Sequence, residues 1–160
     1  QCWKAINILL EKDLLFEGNW SRISEEINIV RFRNNKAKYL VEAREKFLCC
    51  GPGIRDCLDI HADEFDKREW LVKNVKGMSY KEASHFMRNT GMGEKLAILD
   101  RHILKNMKLL GVIDEVPGSI NRKVYLELEQ KLSAFSKRIG IPLDHLDFVL
   151  WYKEAGEVFK

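Results

Sequence analysis

The clearest absence in this 160-residue sequence is that of a long apolar segment. No apolar run approaches the length of about 18 residues that a membrane-spanning helix needs. The order of charged, apolar and small residues that marks a secretory signal is missing too. We therefore expect no membrane partner.

Zinc and iron–sulfur patterns are also missing, although the sequence contains four cysteines. Cys49, Cys50 and Cys57 show neither the C-x2-C spacing of a zinc site nor the spacing of an iron–sulfur run. We therefore expect no metal site in this chain. The cysteines are more typical of a reduced intracellular protein with small buried thiols.

Neither sign of charge dominates, because 27 lysines and arginines face 24 acidic residues and leave a net charge of +3. Such a charge permits a polyanionic partner without requiring one. The chain is 46% hydrophobic and 32% charged, as in globular proteins. Its length suits one compact domain or two small lobes.

Strand-like alternation is absent, and the apolar spacing is helical almost throughout. We predict an all-α fold whose short connections favour antiparallel neighbours. The clearest elements are a helical hairpin at about 65–90, a helix at about 100–110 and C-terminal helices within 120–160. Asn34 or Asn35 is predicted to cap the helix that precedes the glycine-rich break at 51–53.

The hairpin contains the stretch VKGMSYKEASHF, residues 75–86. Gly77 allows the backbone to turn tightly, and the amide N–H groups of the turn then cluster at the start of the second helix. Such a helix start can bind a phosphate. A plain structural αα-hairpin has the same appearance, so the turn alone leaves both interpretations open.

Lys81 lies in the first turn of that second helix, where the helix dipole disfavours a positive charge. Partial burial has the same effect, and a neutral amine is a nucleophile. A solvated lysine that tolerates a small electrostatic cost is the simpler interpretation of position alone. Asp100, in LAILDRHIL, is predicted to cap the next helix, where its carboxylate can stabilise a nearby developing cation or serve only as a cap.

Together these residues carry a resemblance. The stretch VKGMSYKEASHFMRNTGMGEKLAILDRHIL resembles the helix-hairpin-helix plus Gly/Pro-Asp motif of DNA base-excision glycosylases. With the ending LWYKEAGEVFK, it is most similar to the archaeal-type (type 2) 8-oxoguanine DNA glycosylase/AP lyases, from about Asn34 to Lys160. The resemblance implies a single helix-hairpin-helix glycosylase domain over residues 1–160, with an active-site cleft between two helical lobes.

For catalysis, the resemblance implies a bifunctional enzyme that acts on double-stranded DNA containing 8-oxoguanine or an abasic site. Lys81 would attack C1′ of a nucleotide flipped out of the duplex, form a Schiff base and nick the strand by β-elimination. Asp100 would stabilise the oxocarbenium-like charge and assist proton transfers. No cofactor is implied, apart from a monovalent cation at the carbonyls of the hairpin.

For DNA binding, the resemblance implies backbone contacts from the hairpin to a phosphate. The amides of Gly77 and Ser79 would donate to it, although many related hairpins have glycine in place of Ser79. His102 falls on a phosphate-contacting position, and an ordinary helix-surface residue is the equal alternative. Arg101 and Lys105 can add salt-dependent attraction.

For base recognition, the resemblance implies that Trp151 stacks on the damaged base. The terminal carboxylate of Lys160 would read N–H groups on the purine edge, because a carboxylate only accepts hydrogen bonds. Phe32 is a candidate for the opposite face of the base, or a core residue. The implied protein is monomeric, and it works in the prokaryotic cytoplasm, associated with the nucleoid through DNA.

Two other functions remain open. An endonuclease III-like glycosylase would act on oxidised pyrimidines, but the C-terminal four-cysteine iron–sulfur cluster common in that group is missing from this sequence. A non-catalytic helix-hairpin-helix module would bind DNA without needing Lys81. It gives no reason for an aspartate at position 100.

Overall fold

The computed structural model describes residues 1–49, 51 and 53–156, so the predicted role of Lys160 lies outside the described residues. Over that range the chain forms ten α-helices and one π-helical segment, Glu45–Cys49, and no strand. The helices are α1 Cys2–Glu11, α2 Leu14–Glu17, α3 Trp20–Glu26, α4 Arg33–Arg44, α5 Ile54–Asp59, α6 Glu64–Asn74, α7 Tyr80–Asn89, α8 Arg101–Leu109, α9 Arg122–Ile139 and α10 Leu143–Ala155. None of these helices is long and apolar enough to cross a membrane.

The chain divides into two compact units, one of residues 1–60 with 73–77 and one of residues 61–72 with 78–160. In the first unit, α1, α2, α3 and α4 pack around a small apolar core. Its buried members are Ala5, Leu9, Leu14, Ile23, Ile27, Val30 and Ala37. Cys2 is exposed, so the expectation of buried thiols is wrong for this residue.

In the second unit, α8 and α9 pack against α10 around a larger core. Its most buried members, at 2% exposure or less, are Ala97, Ile103, Met107, Leu132 and Leu146. A buried ion pair also joins α6 to α9: Arg68 Nη1 lies 2.6 Å from Glu129 Oε1, with the two side chains 1% and 6% exposed. This unit contains Lys81, Asp100 and Trp151.

The start of α4 differs from the prediction. Phe32, rather than Asn34 or Asn35, is the N-cap, and it has left-handed backbone with φ 58°. Asn34 lies inside the helix, where its side chain accepts a hydrogen bond from the hydroxyl of Ser24. Its cap-forming oxygen is therefore used in a contact with α3, which the local sequence pattern does not reveal.

Candidate active site

The α7 helix begins directly after a tight turn at Gly77, and Ser79 is its N-cap. Gly77 has φ +85°, and a Cβ added there would lie 2.7 Å from Cδ2 of Tyr39. Ser79 is the N-cap, and its N–H donates to Glu82 Oε2 at 3.3 Å, while its hydroxyl donates to the same oxygen. The Glu82 carboxylate thus satisfies an amide at the helix start that would otherwise lack a partner.

Lys81 lies in the first turn of α7, as predicted. Its Nζ is 3.0 Å from Glu82 Oε1, and its side chain is 42% exposed, so the amine is reachable from solvent while it is paired. Burial raises the pKa of Glu82, but hydrogen bonds from Ser79 and Lys81 more than offset this, and the pKa is lowered overall. Glu82 therefore holds both the cap and the amine as a carboxylate.

A cavity of about 220 Å³ opens beside Lys81. It is lined by Ser79, Tyr80, Lys81, Leu99, Ile120, Asn121, Arg122 and Tyr125. Leu99 is the residue immediately before Asp100, so the second unit brings the predicted nucleophile next to the segment that carries the predicted carboxylate. The cavity is formed by the starts of α7 and α9 and by the loop that enters α8.

Asp100 is the N-cap of α8, as predicted. Its Oδ1 accepts hydrogen bonds from the N–H groups of His102 and Ile103, each at 2.9 Å. The start of a helix is a favourable place for a negative charge. The side chain is thereby fixed in orientation at a partly exposed position.

One wall of the cavity is stiffened by a polar cluster at Tyr80. The Tyr80 hydroxyl donates to Glu69, with both carboxylate oxygens within 2.7 Å, and it accepts a hydrogen bond from Arg122 Nε at 2.8 Å. Burial, followed by the bond to Glu69, raises the pKa of Tyr80 although Arg122 opposes this. The cluster therefore holds a protonated tyrosine next to Lys81 and the cation of Arg122 at the cavity rim.

Comparison with known proteins decides the family. The family described as "8-oxoguanine DNA glycosylase" matches residues 1–141. This chain belongs to that family. The family prediction made from the hairpin and from Asp100 is therefore confirmed.

Relatives in the family come from bacteria and archaea. The 8-oxoguanine DNA glycosylase/AP lyase of Fusobacterium nucleatum is 53% identical over 99% of this chain and 73% of its own length. That of Korarchaeum cryptofilum is 45% identical over 81% of this chain and 60% of its own length. Both relatives are thus longer than this chain.

Solved glycosylase structures have the same fold. The Methanocaldococcus jannaschii 8-oxoguanine glycosylase/lyase, in complex with 15mer DNA containing 8-oxoguanine, superimposes with a TM-score of 0.84 at 35% identity. The match covers 97% of this chain and 73% of the archaeal chain. The Thermotoga maritima enzyme has a TM-score of 0.78 at 34% identity, over 97% of this chain and 73% of its own. The all-α, helix-hairpin-helix prediction is confirmed.

His102, a predicted phosphate contact, lies among charged side chains of α8 and α10. Arg101 Nε lies 3.3 Å from its Nε2, and Glu154 Oε2 lies 3.9 Å from its Nδ1. Lys105 binds the same carboxylate oxygen at 2.6 Å. A phosphate at His102 would therefore meet two cations and one carboxylate, and the contact stays a prediction.

The predicted base-binding residues are distributed over both units. Trp151 is partly exposed on α10 of the second unit. Phe32 belongs to the first unit and is 71% exposed, so the alternative that it is a core residue is wrong. The guanidinium of Arg31 lies 5.5 Å from the centre of its ring. An exposed aromatic residue held in left-handed backbone is a feature that often accompanies function.

Four residues that shape the site were not predicted from the sequence: Tyr80, Glu82, Arg122 and Tyr125. A local signal existed for Glu82, because serine followed three positions later by glutamate is the capping-box pattern. Tyr80, Arg122 and Tyr125 gave no such signal, since they meet only through the packing of α9 on α7. Among the described residues no group of three or more His, Cys, Asp or Glu side chains is placed to bind a metal ion.

Proposed function

We propose that this chain removes 8-oxoguanine from double-stranded DNA and cleaves the resulting abasic site, as an 8-oxoguanine DNA glycosylase and AP lyase. The observation that carries the proposal is the placement of Lys81 on a cavity wall next to Leu99, the neighbour of Asp100. Family membership and the relatives named for these two activities support it.

The Lys81 amine attacks C1′ of the flipped nucleotide, and the bond from C1′ to the damaged base breaks. The departing base keeps the electron pair of that bond and takes up a proton. The sugar ring then opens to a Schiff base with Lys81, and β-elimination nicks the strand. The amine must be neutral and must separate from Glu82, 3.0 Å away, before it attacks.

Asp100 acts as an oriented negative charge in this scheme. Positive charge develops on the sugar as the base leaves, and a fixed carboxylate stabilises it without reorganising. The two N–H groups that bind Oδ1 fix the orientation of the carboxylate, so it does not have to turn as the charge develops. A lysine amine and a carboxylate suffice for these steps, so we propose no cofactor beyond a monovalent cation at the hairpin.

The hairpin grips the DNA backbone through the amides of Gly77 and Ser79. The Ser79 N–H already donates to Glu82, so a phosphate must displace that carboxylate to accept the same bond. His102 adds a second phosphate contact. Trp151 stacks on the damaged base, and Phe32 is a second candidate for contact with the base. The protein acts as a monomer in the prokaryotic cytoplasm, on nucleoid DNA.

Borohydride trapping tests the nucleophile. The protein is incubated with a duplex containing 8-oxoguanine, borohydride is added, and the covalent protein–DNA adduct is measured on a denaturing gel. Lys81→Gln should abolish the adduct. Lys123→Gln is the matched control, because Lys123 occupies the same position in the first turn of α9 and is 85% exposed. Its adduct should equal that of the wild type.

The same assay tests the carboxylate and the competing functions. Asp100→Asn should slow base excision by about 100-fold or more while duplex affinity stays within about twofold. An adduct formed only with an oxidised pyrimidine would point to an endonuclease III-like enzyme. Tight duplex binding without any adduct would point to a non-catalytic module, and either result would overturn the proposed function.

A further inference from the structure

The segment that leads to Asp100 is buried and irregular, so those of its peptide groups that do not bond within it need partners from outside. Leu96, Ala97, Ile98 and Leu99 are each at most 3% exposed and belong to no helix. A buried peptide group without a partner is costly, and native structures avoid it. The side chains that pair with this segment therefore help to determine where its last residue, Asp100, is held.

Two side chains of α9 supply these partners. The Tyr125 hydroxyl donates to the carbonyl oxygen of Ala97 at 2.7 Å and accepts from the N–H of Leu99 at 3.4 Å. Glu129 Oε1 accepts from the N–H of Ala97 at 2.8 Å. One hydroxyl thus bridges two peptide groups, and one of these, the N–H of Leu99, belongs to the residue that precedes Asp100.

Tyr125 also contacts the helix of the proposed nucleophile. The centre of its ring lies 5.3 Å from that of Tyr80, and its hydroxyl oxygen lies 3.5 Å from Ser84 Oγ. The ring lines the cavity together with Lys81. Burial raises the pKa of Tyr125 to about 12, so the hydroxyl keeps its proton at neutral pH and can donate.

We propose that Tyr125 is a positioning residue that fixes Asp100 relative to Lys81. Its hydroxyl holds the loop that ends at Asp100, and its ring packs on Tyr80, which directly precedes Lys81. The inference rests on the proposed function, since it assigns Tyr125 a role in the reaction of these two residues. Tyr125 itself touches neither the base nor the sugar in this proposal.

Tyr125→Phe tests the proposal because it removes only the hydroxyl. The measurements are the single-turnover rate of 8-oxoguanine excision and the affinity for uncleaved duplex. A displacement of a catalytic group by about 1 Å can cost on the order of 100-fold in rate, so we expect excision to slow by about 10- to 100-fold. Duplex affinity should stay within about twofold, since the hairpin and its cap are unchanged.

Ser136→Ala is the matched control. Ser136 is a buried residue of α9, and its hydroxyl also donates to a loop carbonyl, that of Ile141, but this loop leads to α10 instead of Asp100. Its loss should lower thermal stability without slowing excision by more than about twofold. A purely structural role of Tyr125 would make the two variants alike.

A second pair of variants keeps the core filled in case Tyr125→Phe does not fold. Position 125 is replaced by 4-fluorophenylalanine or by 4-aminophenylalanine, which fill the space of the hydroxyl. Only the amino group can donate to the Ala97 carbonyl, so the amino variant should excise at least about tenfold faster. This rescue by a donor is an effect that packing alone does not produce.

The outcomes separate the two proposals. If the wild type excises 8-oxoguanine and the fluoro and amino variants are equally fast, the positioning role is overturned while the proposed function stands. The positioning role is overturned equally if Tyr125→Phe is folded and excises at the rate of Ser136→Ala. If the wild type forms no product at all, both proposals fail.

Discussion

Removal of the charge of Glu129 should destabilise the protein far more than the loss of an ordinary ion pair. Arg68 donates to Glu129 through two nitrogens, at 2.6 and 2.7 Å, and Ser84 accepts a further bond from Arg68. Glu129→Gln keeps the size of the side chain and an acceptor for Ala97. It leaves the guanidinium buried without a counter-charge.

The expected loss follows from the burial. Because Arg68 and Glu129 are 1% and 6% exposed, Glu129→Gln should lower the free energy of unfolding by about 3–5 kcal/mol. Glu127→Gln is the control, since its partner Lys123 is 4.0 Å away and the two side chains are 57% and 85% exposed. That change should cost only about 0.3–0.5 kcal/mol.

Urea unfolding followed by circular dichroism measures both changes. The double variant Arg68→Met with Glu129→Gln should be more stable than Glu129→Gln alone, because it no longer buries an unpaired charge. The melting temperature of Glu129→Gln should fall by roughly 6–20 °C. A loss below about 1 kcal/mol for Glu129→Gln, or a double variant less stable than that single one, would refute the reasoning.

Three further predictions concern other positions. In urea unfolding, Gly77→Ala should destabilise the protein more than Gly111→Ala. Each change places alanine in left-handed backbone, which costs about 1–2 kcal/mol. Of the two positions, only at 77 does the new Cβ also meet a ring carbon, at 2.7 Å. Phe32→Asn should keep or raise the melting temperature, because asparagine tolerates left-handed backbone. The same change should weaken binding of a duplex that contains 8-oxoguanine. Unchanged affinity would exclude Phe32 from base recognition. Between pH 10 and 12 the free energy of unfolding should fall by roughly 2 kcal/mol on account of Tyr125, whose pKa rises from 10.0 to about 12 on folding, so that the unfolded state ionises at lower pH than the folded state. Tyr125→Phe should lose this part of the decline.

The sequence was sufficient for the parts of the site that depend on neighbouring residues. Gly77 at the turn, Lys81 in the first helical turn and Asp100 as an N-cap all follow from preferences that act over a few positions. The start of α4 shows where such reasoning fails. Two asparagines offered good caps there, yet the side chain of Asn34 bonds to Ser24, ten positions earlier, and Phe32 became the cap.

The residues that hold the site together could not be predicted from local sequence patterns. Arg68 and Glu129 are 61 positions apart, and Tyr125 lies 28 positions from Ala97. Tyrosine and glutamate in the middle of an amphipathic helix look like ordinary face residues in the sequence. Their roles come from the buried peptide groups of the loop they face, and that loop has no periodicity by which its partners can be identified.

The placement of a lysine at a helix start gains a physical explanation from Glu82. From the sequence, the positive end of the helix dipole is expected to disfavour the charged form of Lys81. In the structure, one Glu82 oxygen caps Ser79 and the other lies 3.0 Å from the amine, so the cost is offset by the adjacent residue. Without DNA, Lys81 is therefore held in an ion pair with Glu82. For Lys81 to act as the proposed nucleophile, it has to lose that pair and a proton when substrate is bound.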